Sequence, residues 1–93
     1  LSPASRDILL GWLIGCRTGD AKLRAGLPEG WRVGDKTGGG GHGTNNDVGI
    51  VWPPGRRPVI AAVYVTESEA SFADRNAAIA DVARALAETL REA

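Results

Sequence analysis

Lys36 and Thr37 stand side by side at the head of a glycine run, Gly38-Gly39-Gly40-Gly41-His42-Gly43, with five glycines in six positions. An ammonium supplies a positive field, and a hydroxyl supplies a short hydrogen bond. Glycine exposes backbone N–H groups with no side chain to hold a ligand away. Together these groups suit an anionic ligand. The stretch Val33-Gly34-Asp35-Lys36-Thr37 leads into them as the end of a strand.

Three readings compete for this loop. In the first, the glycines cradle a phosphate. Gly38, Gly40 and Gly43 formally satisfy G-x-G-x-x-G, but a strand pattern follows where a dinucleotide fold needs a helix. A P-loop is nearly spelled from Gly30 to Lys36-Thr37. It fails because Asp35 replaces its second glycine and no helix follows Thr37. In the second, the glycines make a tight or bulged strand connection, and Lys36 and Thr37 lie on the surface. In the third, Lys-Thr-Gly ending a strand is one of the three motif elements of penicillin-interacting serine enzymes. Their substrates carry a carboxylate beside a strained amide. Lys, Thr and a strand-edge N–H answer to that chemistry.

With 93 residues and a formal charge of zero, the chain is one small domain at most, or a piece of a larger one. At this size only about 60–65% of the unfolded surface is buried, so a core is marginal. Neutrality argues against nucleic acid and anionic membranes, which need a surplus of Lys and Arg on one face. No apolar run approaches the roughly 20 residues that span a bilayer. The single Cys16 cannot form an internal disulfide and reads as a small buried hydrophobe on a helix. His42, with no second His and no Cys nearby, reads as an exposed loop residue, and no metal or cofactor is expected. Leu1-Ser2-Pro3 opens directly into a helix cap without an initiator Met, which suggests a fragment or a processed chain.

The positioning elements follow in order. Ser2 is a good N-cap and Pro3 suits the first helical position. Ile8, Leu9, Trp12, Leu13 and Cys16 recur at helical spacing, while Leu10 and Ile14 make the opposite side apolar. A helix apolar nearly all round is expected to be buried between other elements. Gly15 weakens its last turn, and Gly19 is the expected stop. Asp20 caps a short helical turn over Ala21–Ala25, which Gly26, Pro28 and Gly30 break. Trp31 to Thr37 reads as a strand that the glycine run interrupts. Thr44 to Trp52 reads as a second, with Val48, Ile50 and Trp52 on one face. Pro53-Pro54-Gly55 marks a turn, with Arg56 and Arg57 beside it. Pro58 to Thr66 then reads as an apolar strand buried on both faces, antiparallel to the one before. From Phe72 to Glu92 the chain is helical, started by Ser71 or Asp74, with a stripe of Ile79, Val82, Ala83, Leu86 and Leu90.

Taken together, these stretches resemble the C-terminal part of class A serine β-lactamases over essentially the whole chain. The resemblance rests on Leu27 through Gly38, on Gly43-Thr44-Asn45-Asn46-Asp47-Val48, on Val51-Trp52-Pro53-Pro54-Gly55-Arg56, and on the closing strand and helix. It implies an α+β fold, an antiparallel sheet flanked by helices. Residues 1–93 would be the C-terminal part of its α/β domain, and a separate helical lobe would hold the nucleophile. It also implies a periplasmic or secreted enzyme, a monomer when intact. That enzyme would open the β-lactam amide of penicillins and cephalosporins through a serine acyl-enzyme and confer antibiotic resistance.

The resemblance carries over to particular residues. Lys36, Thr37 and Gly38 match the wall that binds the substrate carboxylate, and Gly39 matches the oxyanion-hole N–H. Asn45 is neutral where some relatives place an Arg. Lys22 stands where others supply that charge from the preceding turn, so it either restores the charge or is an exposed, solvated lysine. Thr18 also faces the cleft. The sequence holds no Ser-x-x-Lys, no Ser-Asp-Asn and no Glu on an omega-type loop, so the isolated residues are expected to be inactive. Within the same superfamily a penicillin-binding transpeptidase is the alternative. Outside it, the alternatives are a non-catalytic structural fragment, or a folding unit that pairs with an N-terminal piece.

Overall fold

A computed structural model describes residues 1–92. Helix α1 (Pro3–Ile14) and the short α2 (Leu23–Gly26) precede three strands, β1 (Arg32–Gly40), β2 (Thr44–Trp52) and β3 (Val59–Val65), and α3 (Phe72–Glu92) closes the chain. The strands form an antiparallel meander in the order β1-β2-β3. This is the α+β arrangement expected from the sequence, a sheet flanked by helices.

The register divides the sheet into two faces. Thr37 lies opposite Asp47, and Asp47 opposite Val63, on one face. Lys36 lies opposite Val48 and Ile50 opposite Ile60 on the other. The first face carries the core. Ala61, Val63 and Val65 pack there against Leu23, Leu27, Ile79 and Ala83. Helix α3 approaches through small residues, with Ala80, Ala83 and Ala87 all buried. Gly26 of α2 meets it so closely that an added Cβ would stand 1.8 Å from the Ala80 carbonyl. On the other face, α1 lies against β1 at Gly34, where a Cβ would meet Leu13 and Ile14 at 3.0–3.2 Å.

Several sequence expectations hold. Ser2 caps α1 by accepting from the Ser5 N–H at 3.1 Å, with Pro3 in the first turn. Ser71 accepts from the Asp74 N–H at 3.1 Å and starts α3. The second strand has the bounds read from the sequence, and Pro53-Pro54-Gly55 joins it to β3 in an antiparallel hairpin.

Others are corrected. Helix α1 ends at Ile14, one residue before Gly15, so Cys16 lies beyond it and only half-buried, its Sγ 3.4 Å from the Thr18 hydroxyl. None of its residues is fully buried, and Trp12 is 72% exposed, because only its Leu10, Leu13 and Ile14 side finds cover. Helix α2 starts at Leu23 with Lys22 at the cap and no side-chain cap bond, so Asp20 does not fill that role. Strand β1 runs on through Gly38, Gly39 and Gly40, paired with Asn46, Asn45 and Thr44. Glycine is unfavourable in a strand but not forbidden, and ladder pairing to β2 outweighs it. Strand β3 alternates, leaving Ile60 and Tyr64 each 68% exposed. On α3, Val82 faces outward, and Asn76, Ala80 and Ala87 join Ile79 and Ala83 on the buried side.

Candidate functional site

Strand β1 is an edge strand of the described sheet, so alternate N–H groups along it have no strand to bond. At its glycine end lies an open cleft of about 400 Å³, lined by Thr18, Lys22, Lys36, Thr37, Gly38, Gly39, Asn45 and Phe72. All six residues singled out as site candidates from the sequence therefore line one cleft. They come from the turn after α1, the residue before α2, and β1.

Two hydroxyls and two ammonium groups meet there. Thr18 Oγ1 and Thr37 Oγ1 are 2.6 Å apart and share a hydrogen bond. Lys36 is exposed, and its Nζ donates to the Thr37 carbonyl at 2.7 Å. Lys22 is only 4% exposed, which rules out the solvated lysine allowed by the sequence. Its Nζ donates to the Asn46 carbonyl at 3.2 Å and lies 5.8 Å from the centre of the Phe72 ring. A buried ammonium held by one carbonyl and one aromatic face keeps donors free for a further acceptor. Among the described residues, Lys22 and Lys36 give the cleft its positive charge, and no carboxylate lines it.

The floor is polar as well. Asn45 is fully buried and donates through Nδ2 to Asn76 Oδ1 at 2.8 Å, tying β2 to α3. Beneath it lie two buried carboxyls, Asp35 and Asp47. Asp35 Oδ1 accepts from Arg24 Nε at 2.9 Å, and Asp47 Oδ2 accepts from the Leu23 N–H at 3.1 Å. Arg24 also donates to the carbonyls of Leu13 and Ile14 at 3.0 and 3.1 Å, bracing the C-terminal end of α1. One guanidinium thus joins α1, α2 and β1 behind the cleft.

Sequence reasoning missed Phe72, Arg24 and the two aspartates. Phe72 comes to the cleft from 35 positions beyond Thr37 (72 − 37), through a hairpin and a loop, with no local signal. A signal did exist for the aspartates. They share the strand parity of Val33 and Val51, an inward parity where a carboxylate is out of place. His42 lies on the exposed turn between β1 and β2, as expected.

Residues 1–90 match the family model described as the Beta-lactamase enzyme family. A β-lactamase of Streptomyces albus G is 48% identical over 90 residues, covering 97% of this chain and 29% of that protein. The Escherichia coli β-lactamase CTX-M-25 is 46% identical over 84 residues, covering 90% of this chain and again 29% of the relative. An ancestral class A β-lactamase structure superposes with a TM-score of 0.94 at 57% identity, over 96% of this chain and 34% of that one. The chain thus spans about three tenths of the length of the curated relatives it matches.

Proposed function

This chain belongs to the beta-lactamase enzyme family, class A, and from that premise we propose that it forms the anion-binding wall of a site that hydrolyses β-lactams. The observation that carries this reading is the convergence of Lys22, Lys36, Thr37 and Thr18 on one cleft beside a glycine strand edge. Lys36 and Lys22 supply the field for the substrate carboxylate. Thr37, oriented by Thr18, supplies its short hydrogen bond, and Gly38 lets the ligand lie against the backbone. The buried Lys22 does the work for which Asn45, being neutral, is unsuited. As a compact point charge it needs the rigid seating that Asn46 and Phe72 give it.

The reaction needs groups that these 93 residues do not carry. In this reading a serine from the helical lobe of the same enzyme attacks the β-lactam carbonyl. The ring C–N bond breaks, the nitrogen takes a proton, and water later hydrolyses the ester. The Gly39 N–H, with the nucleophile's own N–H, receives the oxyanion. One such donor is worth about 3–4 kcal/mol in the transition state. Residues 1–93 then act as the C-terminal part of the α/β domain. The partners are the rest of the enzyme and a penicillin or cephalosporin, and the intact enzyme is a monomer. None of the described helices is long and apolar enough to cross a membrane. A periplasmic or secreted location follows from the same reading.

Intact-mass spectrometry before and after brief exposure to a slowly deacylating β-lactam tests the proposal. A serine-bearing chain that co-purifies and gains the drug's mass supports it. The pure 9.7 kDa chain should gain none and turn over no β-lactam. Turnover by that chain alone would overturn the assignment of the nucleophile to another segment.

A further inference from the structure

Behind the cleft, Asp35 and Asp47 form an arrangement that the reaction above does not use. They are 1% and 0% exposed. Asp35 lies opposite Gly49 and Asp47 opposite Thr37, so the two carboxyls are diagonal neighbours on the same face of the sheet. Gly49, lacking a side chain, leaves the room between them; a Cβ there would stand 3.4 Å from Asp35 Cβ and 2.8 Å from the Gly34 carbonyl. Each carboxyl has one oxygen bound, by Arg24 and by the Leu23 N–H respectively. The other oxygen of each, Asp35 Oδ2 and Asp47 Oδ1, is buried without a hydrogen-bond partner among the described residues. Gly19 closes over Asp35 Oδ2, since a Cβ on it would fall 1.8 Å from that atom.

Two buried acceptors, one on each of two neighbouring carboxyls, both want a donor. We propose that Asp35 and Asp47 hold one proton between them in the folded chain, making them a positioning pair that fixes the Lys36–Thr37 strand against the Lys22–Leu23 turn. The proton resides on Asp47 and is donated to Asp35, which remains the ionised partner of Arg24. The pair then carries one negative charge, which Arg24 balances, rather than two.

The surroundings agree. Burial, and after it the Asp35 carboxyl, pushes Asp47 up to about 8, while the Leu23 N–H and Lys22 pull the other way. Asp35 faces it from β1 and Lys22 from the residue before α2, while Arg24 binds the Asp35 carboxyl. On α3, Ile79 and Ala83 pack with Leu23, whose N–H binds Asp47, Asn76 binds Asn45, and Arg75 lies over the Phe72 ring. Its partner on β3 is Val63.

The pH consequence has a definite sign. An unfolded aspartate loses its proton near 3.8, whereas the folded Asp47 keeps it to about 8. Between those values the folded chain binds the extra proton, so stability from this group is full below 3.8, declines as pH rises, and is gone above 8. Any effect on ligand affinity rests on the β-lactam reading above; the proton itself does not.

The test is a ¹³C-carboxyl NMR titration of the full chain. The Asp47 carboxyl should change shift near pH 8, and a change near pH 4 would overturn the proposal. Asp47→Asn keeps a donor toward Asp35 and an acceptor for the Leu23 N–H. It should fold, show no carboxyl titrating near 8, and lose the decline in melting temperature between pH 5 and pH 8. If that variant keeps the decline, the shared proton is not its source and the proposal fails. If it does not fold, the wild-type titration decides alone. Benzylpenicillin, followed on the Lys36 and Thr37 amides, should bind on the order of fivefold more weakly at pH 9 than at pH 6.5, as one added charge nearby requires. Binding at neither pH, with Asp47 titrating near 8, would leave the proton in place and overturn the expected effect on ligand affinity.

Discussion

Arg24 reaches Asp35 Oδ1 and the carbonyls of Leu13 and Ile14 with one guanidinium. Its loss leaves a buried carboxylate without its counter-charge and frees the end of α1. Arg24→Leu should therefore cost about 3 kcal/mol in urea unfolding, as expected for removing one partner of a largely buried pair. Arg24→Lys should recover only part of this, because an ammonium lacks the fork that serves three acceptors. Lys22 offers a contrast, since its bond to the Asn46 carbonyl and its place over Phe72 leave capacity for a ligand. In the intact enzyme, Lys22→Ala should raise KM for penicillins on the order of tenfold, the loss of one charge-assisted hydrogen bond. Lys22→Arg should stay near wild type. An unchanged KM in Lys22→Ala would remove this residue from the carboxylate site.

Among the elements, the contact of α2 with α3 decides where Lys22 sits. Helix α2 is a single turn and cannot hold itself. It is seated by Leu23 in the core and by Gly26 on the Ala80 carbonyl. Gly26→Ala puts a methyl where no atom fits, so it should destabilise the chain by about 2–3 kcal/mol in denaturant unfolding. It should also shift the Lys22 amide resonance, because the same turn carries both. Ile79→Ala on the facing helix should cost about 3 kcal/mol through the cavity it leaves, without that specific shift. Strand β1 shows the opposite economy. Its three terminal glycines add no packing, yet pairing to β2 carries the ladder to Gly40 and holds Gly39 at the cleft.

At the scale of the molecule, one face of the sheet is a packed core and the other is largely bare. Ile60 and Tyr64 stand open on β3, and Leu1, Ile8, Leu9 and Trp12 stand open on or beside α1. Strand β3 ends the described sheet with an unpaired edge. An open edge beside exposed apolar side chains promotes strand-to-strand association. The 93-residue chain should therefore self-associate with rising concentration in sedimentation velocity. The double variant Ile60→Lys, Tyr64→Lys should reduce that association. If the wild-type chain stays monomeric at millimolar concentration, these faces are less adhesive than their composition implies.

The sequence by itself determined the order of elements, because the signals for them are local. Ser2-Pro3 and Ser71 start helices by satisfying first-turn N–H groups, Pro53-Pro54-Gly55 turns the chain, and Lys36-Thr37-Gly38 announces an anion-binding strand end. Period-2 patterning also bounded β2 correctly. Tertiary structure decided what local signals could not. It showed which side of each amphipathic element found cover, leaving β3 half-open and α1 exposed where the sequence had suggested burial. It carried β1 through glycines that intrinsic propensity would have ended, because a neighbouring strand was there to bond. It buried Lys22 rather than leaving it in water, and brought Phe72 over it from the far end of the chain. It also set Asp35 beside Asp47, since pairing of two strands puts residues 12 positions apart (47 − 35) within reach of one proton.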